Sequence, residues 1–290
     1  MKEQIEAVQR MQDYIEKHLC EEISMAQLAK VSLFSPWYAR RLFLEYTGLT
    51  PAEYIRKYRL RESALKLRDH NEKVTDVAME YGFGSVDGYQ RAFRKEYGCN
   101  PKIYASNPVP IGLFTPYGVK FSYMERRERK MSQTRKIFVQ VIDKPARKVI
   151  IKRGIKAKNY LTYCEEVGCD IWGILMSIKS ISGEPVCLWL PEKYIIPGTS
   201  EYVQGVEVEL DYGGIIPDDF DVIELPASKY LMFQGEPFEE EDFELAIEEI
   251  WDAQKKYDPS IIGYHFKHQE PRIQLEPRGD RGYIELVAIG

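Results

Sequence analysis

The feature that most limits what this chain can fold into is that its front third is written twice. At a constant offset (91 − 41 = 50), Arg41 falls on Arg91, Phe43 on Phe93, Gly48 on Gly98, Pro51 on Pro101 and Tyr54 on Tyr104. Self-similarity at a fixed spacing reports a duplicated structural unit. Each copy opens on a short helical run, residues 25–29 in one and 75–79 in the other. A turn follows, then a serine, Ser35 or Ser85, placed to cap the next helix by accepting a free backbone N–H. Pro36 stands where a helix tolerates proline. The second helices cover residues 37–46 and 87–97. Gly48 and Gly98 stop them, because glycine enters the left-handed conformation cheaply.

Each second helix sorts its side chains. Leu42 and Phe43, and in the other copy Ala92 and Phe93, take the inward side. Trp37, Arg40 and Arg41, and in the other copy Asp87, Gln90 and Arg91, are left outside. That pattern describes a helix-turn-helix whose second helix can enter a DNA major groove. Arginine is the commonest reader of guanine, through a bidentate contact to O6 and N7. Here it stands at the same place in both copies, which suits two reading heads. A helical bundle with a solvated charged face explains one copy equally well and two copies less well.

The run Tyr81-Gly82-Phe83-Gly84-Ser85, then Tyr89-Gln90-Arg91-Ala92-Phe93-Arg94-Lys95, then Gly98-Cys99-Asn100-Pro101-Lys102-Ile103-Tyr104, resembles the signature of AraC/XylS-family transcription regulators. The segment Tyr58-Arg59-Leu60-Arg61, with Ala64 and Leu67, resembles that family's linking helix. The resemblance implies two helix-turn-helix units on one long helix, reading adjacent major grooves of a double-stranded promoter site. The family's base-reading positions carry over to Trp37, Arg40 and Arg41, and to Val86, Asp87, Gly88, Gln90 and Arg91. Val86, Asp87 and Gly88 depart from the polar residues often found there. Asp87 can accept from cytosine N4 or repel phosphate, so the second unit either reads bases or chiefly positions the protein.

A chain of 290 residues has room for about two domains. Its charge is divided: 24 basic against 17 acidic side chains through residue 136, about +7, and 16 against 28 beyond it, about −12. The basic part is the part with the paired motif, and an acidic partner domain leaves DNA to it. No apolar run reaches a membrane span, and the first residues lack the apolar core of a signal peptide. Five cysteines without a Cys-x-x-Cys pair favour a reducing cytoplasm. Cys164 and Cys169 read as packed thiols, with no His or third Cys near enough in sequence for zinc. No catalytic triad order, phosphate loop or metal-spaced histidine cluster stands out, so no metal or cofactor is expected and the chain reads as a non-enzyme.

Three parts follow: residues 1–106, the tandem all-α DNA-binding domain; 107–136, a linker whose basic cluster is either a phosphate contact or a solvated tether; and 137–290, an α+β domain. The last is also written twice. Pro145 to Gly154 matches Pro226 to Gly235 (226 − 145 = 81), each a strand followed by a helix, over about residues 159–180 and 239–257. Further strands are expected at 186–190, 202–210, 262–266, 272–275 and 282–289. The expectation is an antiparallel sheet of two β-α-β-β repeats with helices on one face. This pattern resembles the GyrI-like effector-binding domains attached to Rob-type AraC regulators, on the run Cys164 to Gly173 and on Leu188-Trp189-Leu190-Pro191.

A duplicated unit of this kind makes a groove between its halves, a default ligand site. The resemblance places an acidic groove residue at Glu285 on the last strand, although this strand runs on as Leu286-Val287-Ala288-Ile289 where the family often has an aromatic and a proline. Beside Glu285 and Tyr283, the rings of Trp172, Phe233, Trp251 and Tyr264 are available. A groove of rings with one carboxylate favours a bulky aromatic or cationic effector. The plainer alternative has the tryptophans in the core and Glu285 on the wet side of its strand. A rival function makes Glu285 the general base of a small-molecule hydrolase, or the domain a drug-sequestering module fused to a DNA-binding one. Bound effector would bias DNA occupancy or contact with RNA polymerase.

Overall fold

The computed structural model describes residues 2–70, 72–116, 118–119, 136–168, 170–239 and 242–290. The chain forms two compact units, residues 1–126 and 127–290. No helix among the described residues is long and apolar enough to cross a membrane.

The first unit is helical: α1 (Lys2–Lys17), α2 (Met25–Ser32), α3 (Pro36–Thr47), α4 (Pro51–His70), α5 (Val74–Glu80), α6 (Val86–Tyr97) and α7 (Pro101–Ser106). Ser35 accepts from the Tyr38 N–H at 3.4 Å and Ser85 from the Gly88 N–H at 3.1 Å. Gly48 and Gly98 end α3 and α6 at φ 71° and 74°. The first copy buries Leu28, Ala29, Leu42 and Phe43 against Val8, Met11 and Ile15 of α1 and Tyr54, Ile55 and Tyr58 of α4. The same helix serves the second copy: its Ser63 hydroxyl receives the Tyr89 hydroxyl at 3.1 Å, and its Lys57 pairs with Glu96 of α6. One long helix thus braces both motifs.

The fifty-residue offset fails in the leading helices. Leu28 and Ala29 are buried in α2, and their counterparts in α5 are Val77 and Ala78, which is forty-nine residues on (77 − 28 = 49). The extra residue lies in the second turn. Both turns pass through the left-handed region, at Leu33 (φ 64°) and Gly82 (φ 71°). The second then takes Phe83 and Gly84 before its capping serine, where the first takes Phe34 alone.

The helical unit also takes in the front of the expected linker. Ile111, Leu113 and Val119 are buried, Phe114 meets Tyr54 edge-on at 5.1 Å, and the Val119 N–H donates to Gln12 Oε1 at 2.9 Å. Residues 117 and 120–135, with the basic cluster, lie outside the described residues, as does Cys169.

The second unit runs β1 (Phe138–Lys144), β2 (Arg147–Arg153), α8 (Tyr160–Val167), α9 (Ile171–Ser177), β3 (Val186–Trp189), β4 (Tyr202–Val208), β5 (Asp221–Leu225), β6 (Ser228–Gln234), α10 (Phe243–Lys256), β7 (Arg272–Leu275) and β8 (Ile284–Ile289). Its eight described strands form one antiparallel sheet in the order β1-β6-β8-β7-β3-β4-β2-β5. The offset of 81 survives in the hydrogen-bond register: Val149 pairs with Glu207, and Tyr230 with Ala288.

Three expectations need correction. Each repeat is β-β-α-β-β, because a leading strand, β1 or β5, precedes the one identified from sequence. These leading strands are exchanged: β1 pairs with β6 of the second half and β5 with β2 of the first, so Val141↔Leu231 mirrors Val222↔Ile150. The helix expected over residues 159–180 is two helices, α8 ending at Gly168 (φ 90°). The strand expected over 262–266 is a 3-10 turn, Pro259–Ile262, followed by a single bridge from Phe266 to Ile289. The β-branched run of β2 serves two cores, Val149 and Ile151 on one face and Ile150 on the other. All seven residues of β4 are buried, as befits a strand covered on both faces.

Candidate nucleic-acid interface and effector cleft

In the helical unit, steps of three and four residues along α3 carry Trp37, Arg40, Arg41, Leu44 and Glu45 outward, all exposed. The same stripe on α6 is Asp87, Gln90, Arg91, Arg94 and Lys95, which lines a shallow depression of about 530 Å³. Trp37 is 71% exposed, an unusual place for an indole. The Arg41 guanidinium stands 5.7 Å from the Trp37 ring and 5.3 Å from the Tyr38 ring, so its fork is held against aromatic faces at little further entropic cost. Both stripes begin at a serine-capped helix N-terminus, where free backbone N–H groups favour phosphate.

Of the six residues singled out from sequence as reading heads, five are exposed and Gln90 is half-buried, on one outward stripe of each helix. On α6 the outward stripe runs one turn beyond the residues expected from sequence. Arg94 and Lys95 continue its stripe, whereas Leu44 and Glu45 hold the matching places on α3. The signal was available in the four-residue spacing from Arg91.

In the sheet unit the two halves meet where β3 pairs with β7, Trp189 opposite Arg272. Beside this seam and α10 lies an open cleft of about 680 Å³, whose walls include Trp189, Pro191, Trp251, Phe266 and Arg272. Glu285 lies beneath it, fully buried. Its Oε1 accepts from Trp251 Nε1 at 2.8 Å and from the Tyr283 hydroxyl at 2.6 Å, and its Oε2 accepts from Gln254 Nε2 at 2.9 Å. Arg272 Nε stands 3.6 Å from the same Oε2. Burial, then the neighbouring carboxylate, push the Tyr283 hydroxyl well above its ordinary pKa, so it remains a donor at neutral pH.

The cation beside this carboxylate is the chain's own Arg272. Glu285 is neither on the wet side of its strand nor open to the cleft. Burying a charge requires compensation, and the protein supplies it internally. Three of its roughly four acceptor sites are already taken by protein donors. Of the six candidate ligand residues, Trp251 lines the cleft, and Glu285 and Tyr283 underlie it. Trp172 packs in the core with Tyr163, Leu175 and Tyr202, and buried Phe233 packs edge-on to Tyr257 at 5.5 Å. Half-buried Tyr264 is not among the lining residues.

Arg272 and Trp189 were missed. The Arg272 guanidinium lies 3.8 Å from the Trp189 ring and 5.6 Å from the Trp251 ring. Nothing in the spacing of Trp189, Trp251 and Arg272 along the chain announces that they meet.

Among known proteins, a family model described as a helix-turn-helix domain matches residues 28–107. The regulatory protein SoxS of Salmonella typhimurium is 34% identical over 97 residues, 33% of this chain and 91% of SoxS. The right origin-binding protein of Escherichia coli K12 is 31% identical over 122 residues, 39% of this chain and 42% of that protein, so the likeness spans under half of that longer relative. Among solved structures, the DNA-binding domain of AdpA in complex with a target DNA aligns at 24% identity and TM-score 0.34, covering 35% of this chain and 91% of that one.

Proposed function

We propose, from the premise that this chain belongs to the AraC family of DNA-binding transcription regulators, that α3 and α6 enter neighbouring major grooves of a promoter duplex. Trp37, Arg40 and Arg41 read one groove and Gln90 and Arg91 the next, while Arg94 and Lys95 grip phosphate. The observation that carries this reading is the paired stripe: the same helix positions, braced by one helix, are outward in both copies. Helix N-termini and nearby basic side chains supply the salt-dependent share of affinity.

The reading extends to the second unit as a GyrI-like effector-binding domain. The duplicated register, the seam between halves and the aromatic cleft beside it support a small-molecule site. Occupancy of the cleft then biases DNA binding or contact with RNA polymerase.

Sites selected from random DNA by the full chain supply the duplex for the test. Residues 1–126 alone should bind that duplex, with affinity falling steeply as salt rises. Arg41→Ala should cost about 1–3 kcal/mol and relax the preference at one base pair. Binding that ignores both salt and Arg41→Ala would return the first unit to an ordinary helical bundle.

A further inference from the structure

The reading of the cleft as an effector site leaves open what chemistry it accepts, and the chain's own side chains narrow this. The position that a ligand cation would take, beside the buried carboxylate and against two indoles, is already filled. Arg272 fills it, stacked on Trp189, within reach of Trp251 and 3.6 Å from Glu285. Its Nε is buried without a hydrogen-bond partner, yet its side chain remains 32% exposed and lines the cleft. A guanidinium held flat in this way presents a rigid fork of N–H donors, the geometry that matches a carboxylate, sulfonate or phosphate.

The remaining charges point the same way. Lys255 and Lys267, both exposed, also line the cleft. The one acid on its wall, Glu270, is paired with Lys193 at 3.0 Å. Glu285 underneath already accepts from three donors. Lys255 meets Asp252 at 3.7 Å in an exposed pair of little worth, and Arg272 has only the buried Glu285 behind it, so the open part of the cleft is lined by basic side chains and aromatic faces, although the unit as a whole is acidic. A cationic ligand would sit beside an arginine and two lysines, or would have to displace Arg272 and leave it unpaired.

We propose that the cleft binds a small organic anion, an acidic group on a flat apolar body, with Arg272 taking the acidic group and Trp251, Phe266 and Val287 the body. Glu285, Gln254 and Tyr283 act as positioning residues that hold the arginine in place. This deepens the effector-site reading and rests on it.

The test uses the full chain with two probes, naphthalene-2-sulfonate and tetraphenylphosphonium, followed by calorimetry and by tryptophan fluorescence. The sulfonate should bind once per chain, roughly ten-fold or more tightly than the cation, as charge-assisted hydrogen bonds to a fixed arginine allow. Arg272→Gln should weaken it by at least roughly ten-fold. Lys255→Gln with Lys267→Gln, at exposed positions that leave the fold intact, should weaken it several-fold and flatten its salt dependence. Tighter binding of tetraphenylphosphonium would overturn the anionic class while leaving the effector site standing. Failure of both probes to bind the folded chain would overturn the site and the class together. If Arg272→Gln does not fold, the lysine pair decides, and unchanged sulfonate affinity there overturns the proposal.

Discussion

The two duplications in this chain have been put to different uses. In the helical unit the copies stand side by side along α4, and what they share is exposed: Arg41 and Arg91 hold equivalent outward places. In the sheet unit the copies have exchanged their leading strands, and what they share is register. The matched places beneath that register have diverged. Glu285 falls at the place of Gln204 in the first half, and Glu207 at the place of Ala288 in the second. Repetition on a surface lets one ligand, a regular duplex, be met twice. Repetition in a core supplies the frame, and the asymmetric side chains within it make a site.

The largest effect expected from breaking this comparison is in the core. Glu207 is fully buried between Arg147, 2.5 Å away and itself fully buried, and Lys144. Glu207→Ala strands both cations, and should cost the second unit about 3–5 kcal/mol in denaturant unfolding. A loss near zero would mean the buried cluster is replaceable by packing alone.

The next effect separates the two reading heads. Arg41→Ala and Arg91→Ala should each cost about 1–3 kcal/mol on a selected site. If the second unit chiefly positions the protein, Arg91→Ala will weaken all sequences alike, whereas Arg41→Ala will also blur base preference. Arg94→Ala and Lys95→Ala should each lower the salt slope by about one, the signature of a lost phosphate contact. Glu45→Ala, at the place matching Lys95, should not weaken binding.

Smaller effects distinguish the two turns. Gly82 has φ 71°, and a Cβ there would stand 3.0 Å from the Arg59 guanidinium. Gly82→Ala should destabilise the first unit by about 1–2 kcal/mol. Leu33 occupies the left-handed region with a side chain 79% exposed. Leu33→Gly should relieve that strain and raise thermal stability by less than about 1 kcal/mol. Equal responses at both positions would show that the extra residue Gly84, rather than the left-handed residue, sets the turn.

Much of the helical unit is legible in the sequence because its signals are short-ranged. Ser35, Ser85, Gly48 and Gly98 act on backbone groups within one turn of themselves, and the outward stripes follow from spacing along a single helix. The slip to an offset of forty-nine was harder to see, since a one-residue insertion shows only in which residues are buried. In the sheet unit the offset of 81 was visible at β2 and β6, but β1 and β5 were not assigned. Their burial alternates weakly, and nothing local says which half they join.

The sequence by itself determined where α3 and α6 start and stop and which of their faces meet solvent, because these depend on bonds closed within a few residues, and it showed that each unit is a duplication. Only the tertiary structure decided that Glu285 would be silenced by Trp251, Gln254 and Tyr283 and overlaid by Arg272 stacked on Trp189. Those partners come from α10, from β3 and β7, and from the residue just before β8. Whether a carboxylate is an open anchor or a buried brace depends on desolvation and on the donors that the folded chain brings to it from far along its length.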